Sequence, residues 1–183
     1  MKEVLYNDDN LREYEINERV VRTKALIINS SNQILLGYSY KTYQFPGGHL
    51  EGRENIVDCI FREIKEETGI ELTDKDIAPF MVIKKYMKNY RDSGFNREND
   101  IYYFLIKTDE NIDLSNVHYD RVEELGHYEL VRVDLDEVEE LLIESIEDNP
   151  VNKYIVEEML EVFNELKRLE KANKESDEND SNR

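Results

Sequence analysis

The chain has one cysteine, Cys59, in 183 residues. A single thiol cannot close an intramolecular disulfide, so packing and hydrogen bonds must hold the fold, as in proteins of reducing compartments. Long apolar runs are also missing. No stretch approaches the ~20 residues that cross a bilayer, and the opening MKEVLYNDD has none of the features of a secretory signal. The expected location is cytoplasmic, with no membrane contact. Positive charge is scarce as well: 24 Lys and Arg stand against 42 Asp and Glu, a formal net charge of −18. A field of that sign repels phosphate backbones and anionic lipids, which disfavours a nucleic-acid partner but leaves room for a small phosphate ligand escorted by a cation.

What the chain does have is concentrated between Gly48 and Ile70. Asn55 with Asp58 three residues on suits a helix start, and Gly69 suits a left-handed end, which predicts a helix of about four turns between them. Ile56, Val57, Ile60, Phe61 and Ile64 recur at helical spacing and form one apolar stripe. Glu63, Glu66 and Glu67 stand at i, i+3 and i+4, so their carboxylates share a neighbouring face. At an effective dielectric of about 20, like charges roughly 5–6 Å apart repel by about 3 kcal/mol per pair. In open water the repulsion drops below about 1 kcal/mol, and such a triplet is more often a solvated face. Here the helix is half-buried and follows Phe45-Pro46-Gly47-Gly48, a turn whose backbone can approach a ligand. Oxygen-only donors in that setting suit Mg²⁺ or Mn²⁺, completed by water and substrate phosphates.

These residues resemble the Nudix box, Gly-x5-Glu-x7-Arg-Glu-U-x-Glu-Glu-x-Gly-U with U a bulky aliphatic. Gly48, Glu54, Arg62, Glu63, Ile64, Glu66, Glu67, Gly69 and Ile70 fill every position, and the flanking segments extend the likeness over residues 20 to 145. The resemblance implies an α/β fold, a Nudix-type α/β/α sandwich with a mixed β-sheet, to which this chain adds a C-terminal helix. It also implies metal-dependent hydrolysis of a nucleoside diphosphate linked to another moiety, with water attacking phosphorus. By the same likeness Glu63, Glu66, Glu67 and the Gly48 carbonyl hold Mg²⁺ (or Mn²⁺), and Arg62 and Glu54 orient the helix carboxylates. The general base stays open: Glu63, or an acid from a distant loop, where Glu98, Glu123, Glu124 and Glu129 are available. Glu124 and Glu129 are put first among those four.

The remaining chain reads as one domain, 1–170, followed by an acidic tail, 171–183, expected to be disordered. Residues 1 to 18 suggest an arm or a short edge strand. Val20 to Ile28 and Ile34 to Tyr38 form a hairpin about Ser30-Ser31-Asn32, and Ile77 to Tyr90 pairs with Asp100 to Lys107. Tyr128 to Val133 is the last strand. Asp134 to Asp148 and Val151 to Leu169 are amphipathic helices. The stripe Ile155, Met159, Val162, Phe163, Leu166 and Leu169 packs on the domain or on a second subunit, so a homodimer is one outcome.

Lys84, Lys85, Lys88, Arg91 and Arg97 make the one basic cluster of this acidic chain. It reads either as lysines blunting an edge strand or as a flap over substrate phosphate. The expected substrate contacts are Lys84, Lys88, Arg91, Arg97 and His49; Cys59 is a packing residue. Three functions follow. The first is a pyrophosphohydrolase for a nucleotide, nucleotide sugar or dinucleotide. The others are an RNA 5′-pyrophosphohydrolase and a non-catalytic nucleotide-sensing module.

Overall fold

A computed structural model describes residues 1–181, with side chains through residue 172. Its helices and strands follow the caps and periodicities above. The box helix α1 spans Ile56–Thr68. Asn55 Oδ1 accepts from the N–H groups of Val57 and Asp58, at 2.9 and 3.0 Å, and so satisfies two of the helix's orphan donors. Gly69 ends it at φ +72°, in the left-handed region, with its N–H on Lys65 O.

Seven strands form one mixed sheet among the described residues. They are β1 (Lys2–Tyr6), β2 (Glu18–Ile28), β3 (Gln33–Ser39), β4 (Thr42–Gln44), β5 (Ile77–Met87), β6 (Arg97–Lys107) and β7 (Glu129–Asp134). The order is β1-β5-β6-β2-β3-β4, and β7 lies along β3. At the centre, β2 runs parallel to β6 over its whole length, from Glu18↔Arg97 to Ile28↔Lys107. The expected β2–β3 hairpin is paired only at Ile27↔Leu35 and Ile28↔Ile34, and beyond that point the strands part. Beyond the split β3 pairs instead with β4, which lies outside the strands expected from the sequence. The N-terminal arm is the edge strand β1, parallel to β5.

Successive side chains of a strand point to opposite faces, so each face of the sheet has its own core. On one, Ala25, Ile27, Phe104 and Ile106 meet Ile60 and Ile64 of α1. On the other, Leu26, Ile28, Met81 and Ile83 meet α3 (Val138–Asp148) and α4 (Lys153–Ser181). The stripe of α4 packs on the domain: Val156, Met159, Val162, Phe163 and Leu166 are at most 2% exposed. Burying each such side chain contributes about 1.5–3 kcal/mol before entropy is counted. Helix α4 extends beyond the expected end near Leu169. The acidic tail lies mostly outside the described side chains. The connection between β6 and β7 contains a short helix, α2 (Arg121–Leu125), capped by Asp120.

Candidate active site

The acids of α1 are divided between two kinds of support. Arg62, on the same helix, serves Glu63 and Glu66. Its guanidinium grips Glu54 bidentately, Nε to Oε2 at 3.1 Å and Nη2 to Oε1 at 2.7 Å. Its Nη1 donates to Glu63 Oε1 at 2.9 Å and Glu66 Oε2 at 3.1 Å, and Nη2 also donates to His49 O at 3.0 Å. One planar fork thus fixes two neighbours on its own helix and ties them to the loop before it. The hydrogen bonds from Arg62 hold the Glu54 carboxyl down at about 2.

Glu67 is held from elsewhere in the chain. It is 3% exposed. Its Oε2 accepts from Gly47 N–H at 3.1 Å and from the Tyr128 hydroxyl at 2.7 Å. Burial pushes its carboxyl up to about 8, while Lys24, Tyr128 and the Gly47 N–H pull the other way. The same cause raises Glu63 and Glu123 and lowers Lys24, whose Nζ donates to Gly47 O at 2.5 Å.

Two glycines make the approach possible. Gly47 has φ +123°, and a Cβ there would fall 2.3 Å from Thr23 O. At Gly48 a Cβ would fall 2.4 Å from Glu63 Oε1, so the Glu63 carboxylate rests directly on the glycine backbone. The Gly48 carbonyl accepts Thr23 N–H at 2.9 Å, which leaves one lone pair free.

Glu63 and Glu67 face a cavity of about 240 Å³, lined also by Gly48, His49 and Glu123. Among the described residues no three His, Cys, Asp or Glu side chains stand already converged on a metal position, since Arg62 holds Glu63 and Glu66. The donor set nevertheless fits a hard cation. It offers only carboxylate and carbonyl oxygens, and burial raises the carboxyls of Glu63 and Glu67, whose charged forms a cation would favour.

A second cavity, about 510 Å³, adjoins the first on the α4 side of the sheet. Arg22, Lys24 and Gln44 line both. Its wall includes Tyr90, whose ring carries the Arg97 guanidinium at 3.9 Å. Asn99 Oδ1 is buried there without a hydrogen-bond partner. Glu158 closes the α4 side, bonded to the Tyr103 hydroxyl and Lys85 Nζ, each at 2.5 Å.

The expected basic contacts are dispersed. Arg91 lines the larger cavity and His49 the smaller, where Arg22 Nε donates to His49 Nε2 at 2.9 Å. Lys84 does not join them. Strand alternation turns it to the other face of β5, where it pairs with Glu3 at 3.0 Å. Lys88 is exposed and lines neither cavity, and Arg97 is bonded to Glu18 at 2.7 Å behind Tyr90. Lys85, one residue from Lys84, has the parity that faces the cavity. Among the distant acids, Glu123 reaches the site. Glu124 and Glu129 are exposed away from it, and Glu98 lies on the opposite sheet face beside Arg19. Cys59 is buried against Thr23, its thiol pushed up to about 11 by burial, which fits packing.

Sequence reasoning passed over Arg22, Lys24, Gln44, Asn99, Tyr128 and Glu158. A signal existed for two of them: Arg22 and Lys24 share the parity of buried Leu26 and Ile28, so a strand face that ends in core begins with charge.

A buried acid-lined cavity at the end of a Gly-capped helix, beside a mixed sheet with helices on both faces, defines the class to which the chain belongs. A model described as NUDIX domain matches residues 18–159, and the protein is a member of that hydrolase family. Two curated relatives from Saccharomyces cerevisiae are named mRNA-decapping enzyme subunit 2 and m7GpppN-mRNA hydrolase. Each is 32% identical over 96 residues, which is 51% of this chain and 10% of the relative. The chain therefore spans about a tenth of their length. Among solved structures, a MutT protein from Bacillus halodurans aligns over 67% of this chain and 72% of its own, at 24% identity and TM-score 0.50. A C. elegans Ap4A hydrolase in a binary complex aligns over 84% and 98%, at 14% identity and TM-score 0.50. These likenesses speak for the fold. Among the described residues no helix is long and apolar enough to cross a membrane.

Proposed function

We propose that the protein is a divalent-cation-dependent pyrophosphohydrolase that cleaves the diphosphate linkage of a small nucleotide derivative. The carrying observation is that the acid cavity and the larger cavity adjoin, with Arg22, Lys24 and Gln44 on both walls. A phosphate chain lying across that boundary would meet two cations from β2 while its nucleoside entered the larger cavity. Glu63, Glu66, Glu67 and the Gly48 carbonyl would hold Mg²⁺ or Mn²⁺. Such a cation neutralises charge on the phosphoanhydride and favours deprotonation of water. Arg62 and Glu54 keep Glu63 and Glu66 in register, and Tyr128 with Gly47 N–H does the same for Glu67.

Glu123 is assigned as the proton acceptor. It lines the cavity across from α1, within reach of a water held there, and burial raises its carboxyl above the ordinary carboxylate value, which makes it a stronger base. In the larger cavity, Tyr90 offers a ring for a base to stack on, and the unpartnered Asn99 Oδ1 offers an acceptor for its edge. The lone buried Cys59 and the absence of a disulfide suit the cytoplasm.

The test is turnover of a nucleotide panel with Mg²⁺ or Mn²⁺. Glu66→Gln and Glu67→Gln should each lower kcat by at least about 100-fold, more than the loss typical of groups behind the ligands. Activity that survives both removes the assignment. The curated relatives' names favour one further reading, an RNA 5′ end as substrate. The charge of −18 opposes it, and a triphosphorylated oligonucleotide cleaved with a steep salt dependence would support it.

A further inference from the structure

A further cavity, about 250 Å³, lies where the ends of β1 and β5 meet the first turns of α4. None of its lining residues belongs to the acid cavity. Two chemistries share its wall. Tyr6, Met87 and Tyr154 bring rings and a thioether, while Asp8, Glu157 and Glu158 bring carboxylates. Tyr6 and Lys85 are strand partners, so the alternation that turns Lys85 toward α4 places Tyr6 beside it on the same face.

Charge is lopsided there. Lys85 is the one cation in the lining. Lys153 reaches Glu157 in an exposed pair at 3.3 Å, and Lys2 is engaged by Glu161 and Glu165 at 3.0 and 3.3 Å. Asp8 is in no ion pair among the described residues. The Tyr6 hydroxyl registers the field, since burial first and then Glu161 and Glu158 push it above the ordinary phenol value. The chain's own alkylammonium shows how such a wall holds a cation. Lys85 Nζ lies 5.8 Å from the centre of the Tyr6 ring, within cation–π reach, and bonds Glu158 at 2.5 Å. The second ring, Tyr154, is 56% exposed.

We propose that this cavity binds a linear polyamine, with its ammonium groups on Asp8, Glu157 and Glu158 and its methylenes across Tyr6 and Tyr154, and that binding is felt in the larger cavity through Lys85. The wall selects this ligand over other cations. A bare divalent ion wants oxygens converged around it, and among the described residues no three acids do so. A quaternary ammonium suits the rings but has no N–H to give to carboxylates, which only accept. A polyamine brings N–H groups at intervals with apolar surface between them. The net charge of −18 concentrates such a polycation around the chain. Lys85, Met87, Tyr154 and Glu158 line the larger cavity as well. An ammonium that takes over Glu158 therefore releases Lys85, whose charge is then free for an anionic substrate. That coupling rests on the pyrophosphohydrolase reading; the binding does not.

The experiment titrates spermidine into the full chain by calorimetry with Mg²⁺ present, and tetramethylammonium as the cation without N–H groups. The double variant Asp8→Asn with Glu157→Gln removes two charges at exposed positions that line neither the acid cavity nor the larger one. Spermidine should bind at one site, more tightly than tetramethylammonium, and the double variant should weaken its Kd at least about fivefold. Tyr6→Leu should weaken it about two- to fivefold and Tyr6→Phe leave it unchanged. An equal Kd in wild type and double variant, the result of diffuse attraction to an acidic chain, would overturn the proposal, as would equal affinity for tetramethylammonium. In nucleotide turnover, spermidine should lower KM at least about twofold in wild type and leave it unmoved in the double variant, whose activity without spermidine is that of wild type. An equal shift in both proteins, as complexation of the nucleotide's own phosphates gives, would overturn the coupling. Absence of any turnover would instead defeat the pyrophosphohydrolase reading, and the calorimetric comparison then decides the binding alone.

Discussion

Glu63 and Glu67 lie one helical turn apart and are secured by different parts of the molecule. Glu63, with Glu66, is gripped by Arg62 from within α1, and Arg62 in turn by Glu54 at the end of the preceding loop. Glu67 is gripped by Tyr128, 61 residues away in sequence, and by the Gly47 N–H. The local half is assembled as soon as the helix forms. The other half exists only after the segment that follows α2 has docked on β3. That docking depends on Gly37, where an added Cβ would lie 2.2 Å from the Tyr128 hydroxyl oxygen. A glycine inside a strand marks such a close approach.

The comparison can be broken at that glycine. Gly37→Ala drives a methyl group into Tyr128, and overpacking of this kind costs about 1–3 kcal/mol of stability. It should also weaken Mn²⁺ binding, because Glu67 loses the Tyr128 hydroxyl and keeps only the Gly47 N–H, while the Arg62 network stays intact. A lowered thermal midpoint with unaltered Mn²⁺ affinity would show that Tyr128 is not coupled to the acids. Tyr128→Phe is gentler and sharper, since it deletes one hydroxyl and keeps the ring. Loss of a group that orients a ligand typically lowers metal affinity about 10–100-fold, and calorimetry with Mn²⁺ should fall in that range with little change in Tm.

The smallest effect separates the two halves by pH. Glu54 has its folded pKa depressed to about 2 against an ordinary 4.5. Its contribution is therefore complete above 4.5 and is lost as pH falls toward 2. Glu67 is raised to about 8, so between 4.5 and 8 the folded state keeps a proton that the unfolded chain has released. Its effect is a stability that declines as pH rises through that window. The metal-free protein should show that decline in denaturant titrations at pH 5 and 8, and Glu67→Gln should remove it. A decline of equal size in the variant would assign it to other groups.

The sequence carried the local half almost completely. The caps Asn55 and Gly69, the apolar stripe of α1 and the spacing of Arg62 to its acids all depend on neighbours within a few turns, and they stand where the pattern placed them. The two amphipathic helices and the strands from β2 onward, β4 excepted, were legible for the same reason. The basic cluster was misleading because composition ignores parity. Lys84 and Lys85 are adjacent in the chain, yet alternation sends one to Glu3 and the other to the cavity. Glu123 could not be ranked above Glu124 and Glu129, since the helix α2 that carries it is only five residues long and gains its position by docking.

The amino-acid order by itself determined which residues carry charge on the box helix, how that helix begins and ends, and the family to which the chain belongs. Each of these is a matter of spacing along one element, where backbone geometry fixes the outcome. The tertiary structure alone decided that Tyr128 supports Glu67 and that the acid cavity adjoins the larger one. Those relations join strands that meet only when β2 pairs in parallel with β6 and β7 docks on β3. Long-range register of that kind leaves no periodic trace in the chain.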